Sequence, residues 1–376
     1  MPLRVVMAES SDIYHDYRVQ KEAVSLAGCG YDVTVRGFRG AWQAPAGQTF
    51  PFRLYTLPVF SRRYRFLRNL AGLVNVAIIN LILLFTRADF YHAHNTMFLV
   101  GMYLSSRLHG GRFVYDAHEV QWEASRLAAW LEARFIHEAE GLINASQGRA
   151  RAVGERFGIP LERFTIVSNY PRLEGEQPAP TAAREEGPLR MIFSGGYNLN
   201  GNRLDLLLEA LRRVPGVDLY LLAFGYQDSE EVLKRKVDEL GLQDRVRFVP
   251  LVNPSEVIPT ISRYDVAVNL LTNPFDELNV RYCSTNKMYE YLAAGLPILS
   301  SDLDAFVEEF VEPGAAVAVD ADDVESIVKG LHALTDNPDD LPVMKDKARE
   351  LSRTRYNWGT QEEKLLEMYR DLARNG

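Results

Sequence analysis

Short apolar runs rich in β-branched residues alternate with helix-patterned stretches from one end of the chain to the other, and few folds accept that order. Arg4–Ala8, Asp32–Arg36, Asp89–His92, Arg112–Asp116, Leu142–Ala145 and Phe164–Ser168 predict strands in the first half. Arg190–Ser194, Asp218–Ala223, Val246–Val249, Asp265–Leu270, Pro297–Ser300 and Ala316–Val319 predict them in the second. Strands joined through helices pair in parallel, so the pattern predicts an α/β chain of two doubly wound, Rossmann-like domains. A length of 376 residues leaves room for two cores of ordinary size.

Pro171 to Pro180, continuing to Gly187-Pro188, is proline-rich, polar and without apolar period, as linkers are. The expected division is a first domain over 1–171, a linker over 172–188 with a hinge and cleft beside it, and a second domain over 189–356. Residues 357–376 are expected to pack back on the first domain. Thr360-Gln361-Glu362-Glu363 has the form of a capping box opening a last helix, with Leu365, Leu366, Met368 and Tyr369 apolar. Leu70–Phe85 is the most apolar stretch, too short for a membrane span, and is expected to be a crossover helix buried against the first sheet.

The net charge of -8 argues against general nucleic-acid binding. That average hides an asymmetry: from Val33 to Ala88 there is no Asp or Glu, while eight arginines occur. Arg62, Arg63, Arg65 and Arg68 alternate there with aromatic and aliphatic residues, a pattern that can sit on an anionic lipid surface. The segment Met1–Val6 carries no charged leader with a signal-type apolar run, so a cytoplasmic location is expected, with association to the inner face of a membrane through those arginines. The two cysteines, Cys29 and Cys283, lie in separate halves and can build neither a disulfide framework nor a four-cysteine zinc site. Asp302-Leu303-Asp304 and Asp320-Ala321-Asp322 fall in loops, where carboxylate pairs are usually solvated, and no metal or cofactor is expected.

Ser284–Ala294 predicts a short helix with a Ser284 or Thr285 N-cap, Gly295 as C-cap and Pro297 beyond. The N–H groups of its first turn, from Asn286 onward, suit an anion. Lys287 and Glu290 share one face, so one elongated ligand, such as a diphosphate joined to a ribose, can meet both; an exposed Lys-Glu pair on an amphipathic helix is the plainer alternative. Upstream, Gly195-Gly196 ends a strand and Arg203 precedes a helix with Leu204, Leu207, Leu208 and Leu211 apolar, a strand-glycine-helix junction that lets backbone approach phosphate. In the first half, His94, and His118 with Glu119, follow strands where such sheets place ligand groups, a histidine that caps a strand end being the plainer alternative for either.

In order along the chain, these pieces resemble a GT-B-fold glycosyltransferase of the retaining family 4. The resemblance runs from Asp16-Tyr17-Arg18-Val19 and Gly30–Val35 through Asp89–His94, Tyr115-Asp116-Ala117-His118-Glu119 and Ile166–Asn169. It continues through Gly225, Asp244–Pro250, Asn286-Lys287 with Glu290, and Ala294–Pro297. It implies that Glu290 holds the ribose hydroxyls, Lys287 and Arg203 the diphosphate, and the backbone near Pro250 and Leu251 the base. It also implies that His118 touches the transferred sugar or the acceptor, with His94, Asp116, Glu119, Asp16 and Arg18 on the acceptor side. Tyr282 stands where many members carry an acid, a trait shared by members with the same Asn-Lys-x-x-Glu helix. The implied reaction moves a sugar from a nucleotide-sugar donor to a sugar or lipid-linked acceptor with retention, in cell-surface polysaccharide or glycolipid assembly. A nucleotide-sugar epimerase of the same fold and a non-catalytic partner of an active transferase are the alternatives. A nicotinamide dehydrogenase fits less well, because the first strand leads into Glu9-Ser10-Ser11-Asp12 and not into a Gly-x-Gly-x-x-Gly loop.

Overall fold

The alternation resolves into two all-parallel sheets, each the spine of its own compact unit. The computed structural model describes residues 1–40, 49–58, 65–173, 187–196, 201–224 and 227–374. One unit comprises Met1–Asn169 with Gln361–Gly376, the other Tyr170–Thr360. Arg62, Arg63, Gly225 and residues 174–186 of the expected linker lie outside the described residues, as do the side chains of Arg65 and Arg68.

The first unit contains β1 (Arg4–Asp12), β2 (Asp32–Arg39), β3 (Arg53–Pro58), β4 (Phe90–Ala93), β5 (Arg112–Ala117), β6 (Gly141–Asn144) and β7 (Phe164–Ile166). Their order is β3-β2-β1-β4-β5-β6-β7, so the chain builds outward from β1 to β3 and then returns to the other side of β1. At such a reversal an open α/β sheet leaves a crevice at the carboxyl ends of its strands. Central strands are apolar on both faces because helices cover both, and β4 is buried throughout. The sequence pattern does not reveal β3. It lies at the sheet edge, alternates exposed with half-buried residues and ends at Pro58, so it needs no continuous apolar run.

Two helical expectations are corrected. The Leu70–Phe85 stretch lies in a helix, α2 (Arg65–Leu84 in a series whose α1 is Tyr17–Gly28), but it is not core on every side. Asn75, Ile79 and Leu83, spaced by four, face inward, whereas Leu73, Val74, Ile78, Leu81, Ile82 and Phe85 are exposed. Its asparagines have internal partners: Asn75 donates to the Pro58 carbonyl at 3.0 Å, and Asn80 accepts the Gly101 N–H at 2.8 Å. Among the described residues no helix is long and apolar enough to cross a membrane. The second correction concerns the last helix, Trp358–Arg374, which starts before Thr360. Asn357 Oδ1 accepts the Thr360 N–H, and the Thr360 hydroxyl donates to the carbonyls of Asn357 and Arg355. Gln361 instead accepts the Ser168 N–H, and Glu362 the Ser25 hydroxyl, within the first unit.

The second unit contains β8 (Leu189–Gly196), β9 (Val217–Phe224), β10 (Val246–Phe248), β11 (Val266–Asn269), β12 (Ile298–Ser301) and β13 (Ala316–Val319), in the order β10-β9-β8-β11-β12-β13. Its reversal falls between β8 and β11. The Asn286–Ala293 helix buries Met288, Tyr289, Tyr291 and Leu292, which leaves Asn286, Lys287 and Glu290 on its opposite side. Ala294 is the C-cap, and Gly295, one residue later at φ +70°, makes the tight exit. Leu296 N–H reaches the Tyr291 carbonyl and Gly295 N–H the Leu292 carbonyl, the Schellman arrangement that only a left-handed residue permits cheaply. The buried Tyr291 hydroxyl accepts the Ser194 N–H at 2.8 Å, fixing the helix to the end of β8. Tyr291→Phe leaves that N–H unpaired and should cost about 1–3 kcal/mol. Urea denaturation checks it, and an unchanged midpoint would show that this bond does not fix the helix.

Candidate functional site

Two polar clusters sit where the two reversals put strand ends, one in each unit. In the second unit, Gly195 stands one residue before the end of β8 at φ +144°, and a Cβ there would lie 3.5 Å from Lys287 Nζ. Lys287 Nζ stands 4.7 Å from the centroid of the Phe193 ring and donates to Asn202 Oδ1 at 3.2 Å. Asn202 in turn donates to the Gly196 carbonyl at 3.1 Å. Burial pushes the Lys287 ammonium down to about 8, against the opposing charges of Cys283 and Glu290. The exposed Lys-Glu alternative is thereby excluded, since both residues are at least half-buried. Thr285 occupies the N-cap position without a side-chain capping bond, and its buried Oγ1 has no hydrogen-bond partner. Ser284 donates to the Tyr289 hydroxyl at 3.0 Å, which donates to Glu309 at 2.7 Å. Neither residue therefore takes the first-turn N–H groups with its side chain.

Arg203 is not the open fork that its sequence position suggests. It adopts φ +44° at the start of the Leu204–Arg213 helix, a costly conformation for any residue with a Cβ, and its guanidinium pairs with Asp322. Asp322 also accepts the Thr272 hydroxyl at 2.6 Å, so this carboxylate of the 320–322 string is engaged and not merely solvated. Pro250 and Leu251 lie exposed just beyond β10. Tyr282 follows the short Leu278–Arg281 helix, half-buried. Asn202, Phe193 and Asp322 were not among the predicted residues. Asn202, beside Arg203 in the junction, and Asp322, in the Asp320-Ala321-Asp322 string, carried a signal in the sequence.

In the first unit Asp116, at the end of β5, is fully buried and collects three partners. Arg18 donates to both its oxygens, at 2.7 and 2.8 Å, while His94 Nδ1 and His118 Nε2 each lie 3.2 Å from Oδ2. Arg18 also faces Glu22 at 3.3 Å and donates to the Val167 carbonyl. Burial opposes ionisation of Asp116, but Arg18 and His118 outweigh it and hold the carboxyl well below its usual range. For His118, burial is likewise outweighed by the charge and hydrogen bond of Asp116, and its pKa rises. Glu22, without a hydrogen-bond partner, is pushed up to about 7 by burial and by Asp116. His92, stacked on His94 at 4.1 Å, is held neutral by burial, and its Nδ1 shares a hydrogen bond with the Tyr369 hydroxyl at 2.8 Å.

The predicted His94, Asp116, His118 and Arg18 thus meet at one point. Asp16 instead caps α1 through the Val19 N–H, and Glu119 is exposed. Glu22 and His92 were missed, although Glu22 lies one helical turn from Arg18 and His92 two strand positions from His94. Glu22, His92, His94 and Asp116 offer metal-type donor atoms within 4.8 Å of one another. The positive charge facing Glu22 and Asp116 is the Arg18 guanidinium. Asp116→Asn leaves Glu22 as the remaining carboxylate against that buried charge and should destabilise the first unit by about 2–3 kcal/mol through the charge-assisted hydrogen bonds lost. Because the folded carboxyl titrates below its unfolded value, the stabilisation is complete above about pH 4 and is lost as the pH falls further. The gap between the denaturation midpoints of the two proteins should hold from pH 7 to about 5 and narrow progressively below about pH 4, and a gap unchanged down to about pH 2 would refute the assignment.

Two family models match the chain in tandem, Glycosyltransferase Family 4 over residues 18–170 and Glycosyl transferases group 1 over residues 180–351. The chain is a GT-B-fold glycosyltransferase and belongs to family 4. Glycogen synthase of Mycobacterium tuberculosis is 23% identical over 304 residues, 75% of this chain and 69% of its own. The GDP-mannose:cellobiosyl-diphosphopolyprenol alpha-mannosyltransferase of Xanthomonas oryzae pv. oryzae is 22% identical over 76% of this chain and 74% of its own. Among solved structures, Anabaena HepE in complex with UDP-glucose superposes with a TM-score of 0.75 at 16% identity, covering 98% of this chain and all of HepE. Sucrose-phosphate synthase from Thermosynechococcus elongatus superposes with a TM-score of 0.80 at 15% identity over the whole of both chains.

Proposed function

We propose that the enzyme takes a hexose from a nucleotide-diphosphate donor bound on the second unit and transfers it to a hydroxyl acceptor with retention, in cell-surface polysaccharide or glycolipid assembly. The observation that carries this reading is Lys287, a buried ammonium whose hydrogen bond goes to a neutral amide, beside a glycine strand end and at the head of a helix. A diphosphate supplies the negative charge that this group lacks. Cleaving the sugar-phosphate bond develops charge on the leaving diphosphate, which Lys287 and the first-turn N–H groups are arranged to receive without a metal. Arg203 joins them by exchanging Asp322 for phosphate, Glu290 takes the ribose hydroxyls, and the backbone at Pro250 and Leu251 takes the base. The acceptor attacks the face that the diphosphate leaves, and that phosphate takes its proton. The UDP-glucose bound by HepE and the GDP-mannose in the mannosyltransferase's name support a nucleotide sugar as donor.

A thermal-shift panel of nucleotide diphosphates and nucleotide sugars identifies the base, and product anomers read by NMR test retention. Lys287→Ala and Glu290→Ala should each weaken nucleotide binding about tenfold or more while the protein stays folded, and equal affinity in both would sink the donor site. A bound diphosphate raises the ammonium pKa from about 8, so binding takes up a proton and weakens as the pH climbs past that value. Calorimetry at pH 8 in buffers of different ionisation heat should detect that uptake in the parent and not in Lys287→Ala.

The exposed face of α2 supports a lipid-linked acceptor. Leu73, Val74, Ile78, Leu81, Ile82 and Phe85 present apolar surface just after the arginine-rich segment, and apolar side chains beside cations suit an anionic bilayer. Replacing Arg62, Arg63, Arg65 and Arg68 with Gln, or Leu81 and Phe85 with Ser, should reduce flotation with anionic liposomes. Flotation equal to the parent's in both variants, or absent from the parent, removes the lipid surface from the proposal.

A further inference from the structure

The Asn286–Ala293 helix carries two good capping residues at its head, Ser284 and Thr285, and uses neither side chain as a cap. The backbone is not the obstacle, because Thr285 has the extended conformation of an ordinary N-cap, φ −84° and ψ 129°. The hydroxyls simply point elsewhere. Thr285 Oγ1 is buried, and Ser284 donates to the Tyr289 hydroxyl at 3.0 Å. A serine kept off a helix head gives up a stabilising bond that most helices form, so a competing contact has to hold it.

That contact is built by Tyr289 and Glu309. Tyr289 lies on the buried side of the same helix, and its ring is fixed among Tyr170, Tyr356 and Phe310, with centroids 4.4, 5.4 and 5.5 Å away. Its hydroxyl donates to Glu309 Oε2 at 2.7 Å, so its single proton is committed and its oxygen is left to accept from Ser284. A bond to a carboxylate is the stronger of the two and sets the direction of the pair. Glu309 stands in a π-helical turn, Val307–Val311, a rare form, and its carbonyl accepts the Tyr356 hydroxyl at 3.2 Å. Among the described residues, Tyr289 is the only hydrogen-bond donor to the Glu309 side chain. Loss of the phenol or of the carboxylate releases the Ser284 hydroxyl, which can then accept a backbone N–H two or three residues on, as serine does in local turns and at helix heads.

We infer that Tyr289 and Glu309 are positioning residues of the donor site: they hold the Ser284 hydroxyl on the inner side of the helix and so keep the first-turn N–H groups for the phosphates of a nucleotide diphosphate. The inference rests on the donor reading proposed above for Lys287 and this helix. Binding of UDP, GDP, ADP and dTDP to the full chain is measured by calorimetry in a double-mutant cycle. Tyr289→Phe keeps the packed ring and removes only the hydroxyl. It should raise the dissociation constant about fivefold or more, because the phosphates then compete with a serine cap. In a Ser284→Ala background, which has no hydroxyl to form that cap, the same substitution should change the constant by less than about twofold. A purely structural role for the phenol weakens binding equally in both backgrounds. Glu309→Ala should act in the same direction as Tyr289→Phe, and Glu309→Gln, which keeps an acceptor for the phenol, by less. Should Tyr289→Phe not fold, the Glu309 variants in the two Ser284 backgrounds read the same coupling. Parent affinity in Tyr289→Phe, or equal weakening with and without the Ser284 hydroxyl, overturns the assignment and leaves the donor reading standing. A parent that binds none of the nucleotides overturns the donor reading and the assignment with it, so the two failures are distinguishable.

Discussion

The reversal of strand order within each parallel sheet is the constraint from which the rest of this protein follows. Parallel strands need crossover helices, and those helices cover both faces, so polar chemistry can emerge only at the strand ends. At β1 beside β4, and at β8 beside β11, successive crossovers leave in opposite senses and the ends stand clear of one another. His94 and His118 lie just beyond the ends of β4 and β5, Glu9 in the second half of β1, and Gly195 at the end of β8. One topological rule thus generates both polar clusters in units that share no register.

The two clusters handle a buried cation in opposite ways. Arg18 is almost wholly enclosed by its own unit, with Asp116 and Glu22 as counter-charges and the Val167 carbonyl as a further acceptor. Such a pair contributes rigidity: it holds α1 against β5 and orients two imidazoles, and its desolvation is offset by the bonds it makes. Lys287 has an aromatic face and an amide, and its proton is held more weakly because burial outweighs the charges of Cys283 and Glu290. An ammonium in that state responds to an arriving anion, whereas a guanidinium already matched to carboxylates does not. Arg203 is intermediate, matched to Asp322 on a backbone held in the left-handed region.

Particular residues mark how far the amino-acid order could be read. The strands of the second unit were legible because central parallel strands are continuous apolar runs, and the Asn286–Ala293 helix because Gly295 and Pro297 stop it. The edge strand β3 was not legible, since an edge needs only alternation and tolerates Pro58. The apolar content of α2 was plain, but its outward stripe was not, because composition does not say which neighbours a helix has.

By itself, then, the sequence determined the α/β class and the two parallel domains, and it singled out Lys287, His94, Asp116, His118 and Arg18 as candidates, since these rest on local periodicity and short-range motifs. Only the tertiary structure decided which of them meet. Arg18 reaches Asp116 across 98 positions and Arg203 reaches Asp322 across 119. Lys287 reaches Asn202 across 85. Hydrogen bonding and desolvation act over a few ångströms, and no local pattern in the chain encodes separations of that length.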